Sequence, residues 1–309
     1  MDRFNEMALF IQVAELGSIS RAAEKLGLSV AAASRHLSAL EERLNARLVE
    51  RNTRRLYLTE AGQDFLQRSC SILAELEDAE SAVNATTVDP VGTLRVSASL
   101  SFSVQHIAPL LSGFTSIYPK LRVHVEVANR YLDLISNNID VAIRTREFEP
   151  DSNITIRRLG ETRRILAASP EYLSRRGRPE RLEDLDQHQM LIYTHANNAH
   201  ELRFTGPGGT QTIAIKGLLE SNDGQVLRAA ALDGLGILIQ PTYIVYEDIV
   251  AGRLVPVLDA WDLPHLTINL AYPSRKHLSA KVRAFIDYMA AHFARMEYER
   301  KWLARSDLH

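Results

Sequence analysis

Two hydroxyls and a guanidinium, those of Ser34, Arg35 and Ser38, lie close together in the stretch Ser29 to Leu44, SVAAASRHLSALEERL. At about 100° per residue they share one helix face with Ala31, opposite Ala33, Leu37, Leu40 and Leu44. A face of short polar side chains with one arginine fits the major groove of DNA. The hydroxyls donate to base edges or phosphates, the guanidinium reaches a guanine edge, and Val30 and Ala31 can pack on thymine methyls. On this window alone an ordinary solvated helix in a bundle is equally open. A second set of groups suits a different ligand. Ser99, Ser101, Phe102 and Ser103 follow a predicted strand, Thr145-Arg146 follow another, and Thr194-His195 and Ser221-Asn222 follow two more. Hydroxyls, amides and a guanidinium beside helix N-termini suit a small organic anion such as a carboxylate. The plainer alternative is that Ser99 and Ser101 only cap a helix and that Arg146 and His195 are solvated. Asp223 would repel an anion and is expected to cap a helix instead. Bond-making chemistry finds no support. His188, His195 and His200 lack metal-site spacing, and there is no HExxH, CxxC or GxSxG. Gly206-Pro207-Gly208-Gly209 reads as a hairpin turn, not as a phosphate cradle. No metal or cofactor is expected.

The elements that must position the first set are short helices. Residues 4–16 carry Met7, Phe10, Ile11 and Ala14 on one face and end at Gly17. Ser18 is an N-cap for a small-residue helix with Ala22, Ala23 and Leu26, and Gly27 supplies a left-handed C-terminus. Ser29 caps the next helix, which runs to about Asn45. Leu48 to Arg51, a turn at 52–54 and Arg55 to Leu58 alternate like a hairpin. Three helices and a basic hairpin make a winged helix-turn-helix. Arg43, Arg47, Arg51, Arg54 and Arg55 cluster there, opposed by Glu41, Glu42 and Glu50, and a hairpin tip beside a reading helix favours phosphate or minor-groove contact. From Ala61 to about Thr87 one long helix follows, with Phe65, Ile72, Leu76, Ala79 and Val83 forming a narrow apolar seam. Glu75, Glu77, Asp78 and Glu80 face water. The seam suits pairing with a second helix, although packing on its own domain would use the same residues. Cys70 reads as a small apolar filler.

Asp89-Pro90-Val91-Gly92 breaks the chain, and strands then alternate with helices. Strands are expected at 94–98, 121–127, 141–144, 164–168, 190–193, 236–240 and 268–271. Helices are expected at 103–117, 132–136, 223–232 and 280–293, with a hairpin around 206–209. The order predicts mainly parallel sheets in two lobes with a cleft between them. The tail after Arg295 reads either as a helical extension or as disorder. The whole chain of 309 residues has 46% hydrophobic and 24% charged residues and a net charge of −2, as for a globular protein of two or three domains. Neither a membrane span nor a secretory signal is visible, and one cysteine fits a reducing cytoplasm.

Residues 4–62 resemble the DNA-binding domain of LysR-type transcriptional regulators at Phe10, Ala14, Gly17-Ser18, Ala22-Ala23, Leu26, Ser34-Arg35, Leu40-Glu41, Leu48, Arg51 and Leu58-Thr59-Glu60-Ala61-Gly62. The remainder resembles the effector domain of the same family at Gly92 to Arg95, Tyr118-Pro119, Asp140 to Arg144, Ser169 to Leu173, Leu235-Gly236 and Gln240-Pro241. One departure is Val30-Ala31-Ala32, where the family commonly carries a glutamine and another polar residue or a proline. Readout there should lean on Ser34, Arg35, Ser38 and the wing.

The resemblance implies an all-α winged helix-turn-helix over 1–60 and a linker and dimerisation helix over 61–88. A two-lobed α/β domain with the architecture of periplasmic binding proteins follows over 89–296, and a tail over 297–309. Lobe I would span 92–161 and 267–296, and lobe II 162–266. Ser18, Val30, Ala31, Ser34, Arg35, Ser38, Arg51, Arg54 and Arg55 would contact a double-stranded operator with dyad symmetry. Ser99, Ser101, Phe102, Ser103, Thr145, Arg146, Thr194, His195 and Asn222 would bind the effector. The expected partners are DNA, that effector, further copies of the chain as dimer and tetramer, and RNA polymerase for an activator. The competing reading is a ligand-binding protein or enzyme of the α/β class with a helical module that does not bind DNA.

Overall fold

The computed structural model describes residues 2–51, 56–83, 90–146, 154–273 and 278–305. It divides into two compact units, Met1–Val88 with Asp133–Ile139, and Asp89–Leu132 with Asp140–His309.

In the first unit α1 (Arg3–Leu16), α2 (Ile19–Lys25) and α3 (Val30–Leu44) are followed by β1 (Val49–Arg51), β2 (Leu56–Leu58) and α4 (Glu60–Val83). Three side-chain caps start the three short helices: Asp2 accepts from Asn5 N, Ser18 from Arg21 N and Ser29 from Ala32 N. Gly17, Gly27 and Asn45 take positive φ at or just past their ends. Leu9, Phe10, Val13, Ala22, Ala23, Ala33, Leu37 and Leu40 close one core. The wing strands pair antiparallel, with Val49 opposite Leu58.

Glu41 is not part of a solvated charge run, as its neighbours suggested. It is buried, and its Oε1 accepts from Leu48 N (2.8 Å) and Val49 N (3.1 Å), tying the start of the wing to α3. The linker helix likewise does more than expected. Its first turns belong to this core: Phe65 and Leu66 pack on it, and the Phe65 ring lies 5.5 Å from that of Phe10. Gly62 is required there, since a Cβ would lie 2.0 Å from the Leu48 carbonyl oxygen. Of the remaining seam, Ile72 is exposed and Leu76 half-buried, and the side chains of Ala79 and Val83 lie outside the described residues. So do those of Glu75, Glu77, Asp78 and Glu80, and Thr87 as a whole.

The second unit opens with β3 (Gly92–Ala98), α5 (Leu100–Phe102), a π turn (Ser103–Ile107), α6 (Ala108–Ile117), β4 (Leu121–Val127), β5 (Val141–Arg146) and β6 (Ile154–Thr162). It continues with β7 (Arg164–Ala168), α7 (Pro170–Arg176), a 3-10 turn (Leu182–Gln187), β8 (Met190–Tyr193), β9 (Glu201–Gly206), β10 (Gly209–Ala214), β11 (Gly217–Ser221) and α8 (Gly224–Leu232). Last come β12 (Ile237–Pro241), α9 (Thr242–Val250), β13 (Val255–Val257), β14 (Leu266–Pro273), α10 (Ala280–Met296) and α11 (Tyr298–Leu303). Two five-stranded sheets result, ordered β4-β3-β5-β14-β6 and β11-β8-β12-β7-β13.

Neither sheet is mainly parallel. In the first, β3 pairs parallel with β4 and β5, while β14 runs antiparallel to β5 and β6. In the second, β8 pairs parallel with β11 and β12, while β7 runs antiparallel to β12 and β13. The antiparallel pairs of the first sheet are those of β14, the returning strand, with β5 and β6; those of the second are the pairs of β7, the strand that follows β6 across, with β12 and β13. Residues 132–136 form a turn, not a helix. Asp133 Oδ1 accepts from Ser136 N (2.6 Å), and Asn138 at φ 52° stops the chain from continuing helically. The tail after Arg295 turns back at Glu297 (φ 51°) and forms α11, burying Trp302. None of the described helices is long and apolar enough to cross a membrane.

Candidate DNA-reading and effector sites

On α3 the buried face of Ala33, Leu37 and Leu40 leaves Val30, Ala31, Arg35 and Ser38 exposed on the other side, with Ser34 half-buried beside them. Ser18 lies at the start of α2 with its Oγ engaged in capping, at 3.3 Å from Arg21 N. Arg43 is drawn away from any outer basic surface, because Glu6 of α1 binds its Nη2 at 2.6 Å. The side chain of Arg51, and all of Arg54 and Arg55, lie outside the described residues. Replacing Arg35 by alanine is expected to weaken binding to the cognate duplex by about 1–3 kcal/mol while sparing random DNA. Titration of both duplexes checks this, and an equal loss on both would make Arg35 a phosphate contact.

The second unit holds a cavity of about 690 Å³ between its lobes. Ser99 and Ser101 line it from lobe I. Ser99 lines the cavity and also caps α5, accepting from Phe102 N (3.3 Å). Thr145, Arg146 and His195 line it too. The Arg146 guanidinium lies over the Tyr131 ring, 3.6 Å from its centroid, and the Tyr131 hydroxyl donates to the Thr145 carbonyl (2.6 Å). His195 Nδ1 sits 3.3 Å from the carbonyl oxygen of Asn129. Asp223 caps α8, as expected, by accepting from Gln225 N and Val226 N, and its other oxygen accepts from Asn129 Nδ2 (2.6 Å).

Four nominated residues are not brought to the cavity. Phe102 points into the apolar core, stacked on Phe293 at 6.0 Å between centroids. Ser103 is buried in the π turn. Thr194 and Asn222 are exposed just past the ends of β8 and β11, while the cavity is lined there by the preceding Tyr193 side chain and by Gly224 at the start of α8.

Several residues that do line the cavity were missed: Asn129, Arg130, Tyr131, Arg144, Arg164, Tyr193, Gln240 and Tyr243. Arg144 was within reach, because residues two apart on a strand share a face and Arg146 was already nominated. It is buried, and its Nη2 donates to the Leu132 carbonyl (3.0 Å). Tyr243 turns its hydroxyl toward those of Ser99 and Thr145, and burial pushes its pKa up to about 12, so it remains a neutral hydroxyl. Burial raises that of Tyr193 as well. Gly224 lets α8 approach closely, since a Cβ there would lie 3.2 Å from both Ser101 Oγ and Gln240 Oε1. Among the described residues no cluster could hold a metal ion.

A winged helix-turn-helix in one unit and a ligand-sized cavity between two α/β lobes in the other define a DNA-binding protein with a small-molecule domain. Residues 4–63 match the model of the bacterial regulatory helix-turn-helix protein, lysR family, and residues 88–294 that of the LysR substrate binding domain. An HTH-type transcriptional regulator of Xanthomonas campestris pv. campestris is 36% identical over 289 residues, covering 92% of this chain and 84% of its own. The regulator CrgA of Neisseria meningitidis serogroup C is 35% identical, covering 92% and 95%. Among solved structures, CrgA, a LysR-type transcriptional regulator from Neisseria meningitidis, superposes with a TM-score of 0.62 at 33% identity, covering 94% of this chain and 98% of that one. The full-length Vibrio cholerae virulence activator AphB gives 0.60 at 32% identity, covering 94% and 99%. The chain belongs to the LysR family of transcriptional regulators. It is therefore a regulator and not an enzyme.

Proposed function

We propose that this regulator's grip on its operator is set by a small organic anion, a carboxylate, bound between the lobes of the second unit. One observation carries the reading. Among the described residues the cavity is lined by Arg130, Arg144, Arg146 and Arg164 and by no aspartate or glutamate. Its volume of about 690 Å³ is in the range of small-molecule sites. Ser99, Ser101, Thr145 and His195 add hydrogen-bonding groups. Ser18, Val30, Ala31, Ser34, Arg35 and Ser38, with Arg51, Arg54 and Arg55 of the wing, contact DNA. The chain pairs through α4 on an operator with dyad symmetry, where linking two wing domains raises their effective concentration. Effector domains join two such pairs into a tetramer, and an activating form contacts RNA polymerase. The anion shifts a population between two lobe arrangements that it binds with different affinity, and no chemical step is needed.

The test is a melting-temperature series on the full chain with benzoate, succinate and citrate. At least one anion is expected to raise the melting temperature and to alter the mobility of the operator complex. Joint replacement of Ser99 and Ser101 by alanine should weaken that anion by about tenfold or more, worth about 1.4 kcal/mol, and leave operator affinity unchanged. An unaltered response in the double variant would take the site away from these serines.

A further inference from the structure

We propose that the C-terminal helix α11 is a strap that holds the two lobes at their hinge and senses the cavity through Tyr243. The sensing rests on the effector reading above, whereas the strap stands without it.

Residues 298–305 touch both lobes and the segment between them. The rings of Tyr298 and Trp302, one helical turn apart, stack at 4.8 Å and 9°. Trp302 is 1% exposed. It packs against His106 in the π turn of lobe I (5.2 Å between centroids) and against Tyr243 on α9 of lobe II (5.9 Å). Glu299 accepts from Arg158 of β6, a strand leading to the hinge, at 2.7 Å. Arg305 pairs with Asp262, a carboxylate that also binds Arg163 at 3.0 Å. Arg163 is the residue between β6 and β7, where the chain first crosses from lobe I to lobe II.

The route to the cavity is one residue long. Tyr243 lines the cavity with its hydroxyl toward Ser99 and Thr145, while its ring meets Trp302 on the opposite side. Opening the lobes draws Tyr243 and His106 apart and uncovers Trp302, so apolar burial under α11 opposes opening. A ligand that repositions Ser99 or Thr145 moves Tyr243 against the strap and changes that opposition. Tyr243 is thus a positioning residue, acting through Trp302.

Hydrogen exchange on the full chain, without ligand, tests the strap. In Trp302→Ala, amides of 157–166 and 262–268 are expected to exchange about tenfold faster or more, with those of β8 (Met190–Tyr193) unchanged. Trp302→Phe should restore most of the protection. The paired variant Glu299→Gln with Arg305→Gln leaves the aromatic packing in place and should speed exchange at the same two segments. It decides the matter if Trp302→Ala unfolds the unit. Unchanged exchange at the hinge, or an equal rise at β8, overturns the strap. A benzoate and succinate arm separates the two claims. If neither anion protects cavity peptides while the hinge still loosens, the effector reading fails and the strap stands. If an anion protects the cavity peptides of the wild type but leaves exchange at 157–166 and 262–268 unchanged, the sensing through Tyr243 is overturned.

Discussion

Lowering the pH from 6.5 to 4 is expected to remove about 3 kcal/mol of stability from the second unit, through one histidine. His106 sits in a cage of Phe102, Tyr243, Phe293, Tyr298 and Trp302, with ring centroids 5.0 to 6.2 Å away. Burial lowers its pKa from 6.5 to about 4, and the charge of His292 adds a smaller push the same way. A histidine whose folded pKa lies below its unfolded value must stay neutral to fold. Its contribution is complete above pH 6.5, declines between 6.5 and 4, and is gone below 4. Urea denaturation followed by the fluorescence of the two tryptophans, at half-unit pH steps, measures the slope. His106→Phe fits the aromatic cage and should flatten the profile in this window. An unchanged slope in that variant would assign the acid sensitivity to other groups.

Removing the Glu41 carboxylate should be about as costly for the first unit. Glu41→Ala leaves the Leu48 and Val49 amides without the acceptor that now holds them at 2.8 and 3.1 Å in a buried setting. Hydrogen bonds to a charged group contribute about 1.5–3 kcal/mol, and buried donors left unmade add to the loss. The expected destabilisation is about 3 kcal/mol, with operator affinity falling because the wing is no longer held against α3. Glu41→Gln keeps one acceptor and should recover a substantial part. Thermal unfolding and operator titration of both variants check this, and a Glu41→Ala protein with unchanged melting would show the wing to be held by β1-β2 pairing alone.

The helical half was legible in the chain because its signals are local. Ser18, Ser29, Gly17 and Gly27 each act within a few residues, and all four take the capping or turning roles their types suggest. The exposed face of α3 follows from the 3.6-residue period alone. What escaped depends on contacts between distant segments. Glu41 looks solvated beside Glu42 until the wing folds back upon it, and Phe65 looks like a seam residue until α1 arrives. In the cavity Ser99 and Ser101 were accessible as hydroxyls after a strand, but Gln240 and Tyr243 come from lobe II and Asn129 from a loop. Strand direction was misjudged for the same reason, since alternation of strand and helix says nothing about two strands that cross between lobes.

Those crossing strands are neighbours. β6 and β14 pair along their length, Thr162 stands opposite Leu266, and Arg164 Nε donates to the Pro264 carbonyl (3.1 Å) just beyond. A two-stranded ribbon flexes readily across its flat face and resists shear within its plane. Under the mechanism proposed above, a change in the lobe arrangement is taken up at this paired connection, where β6 and β14 leave the first sheet side by side.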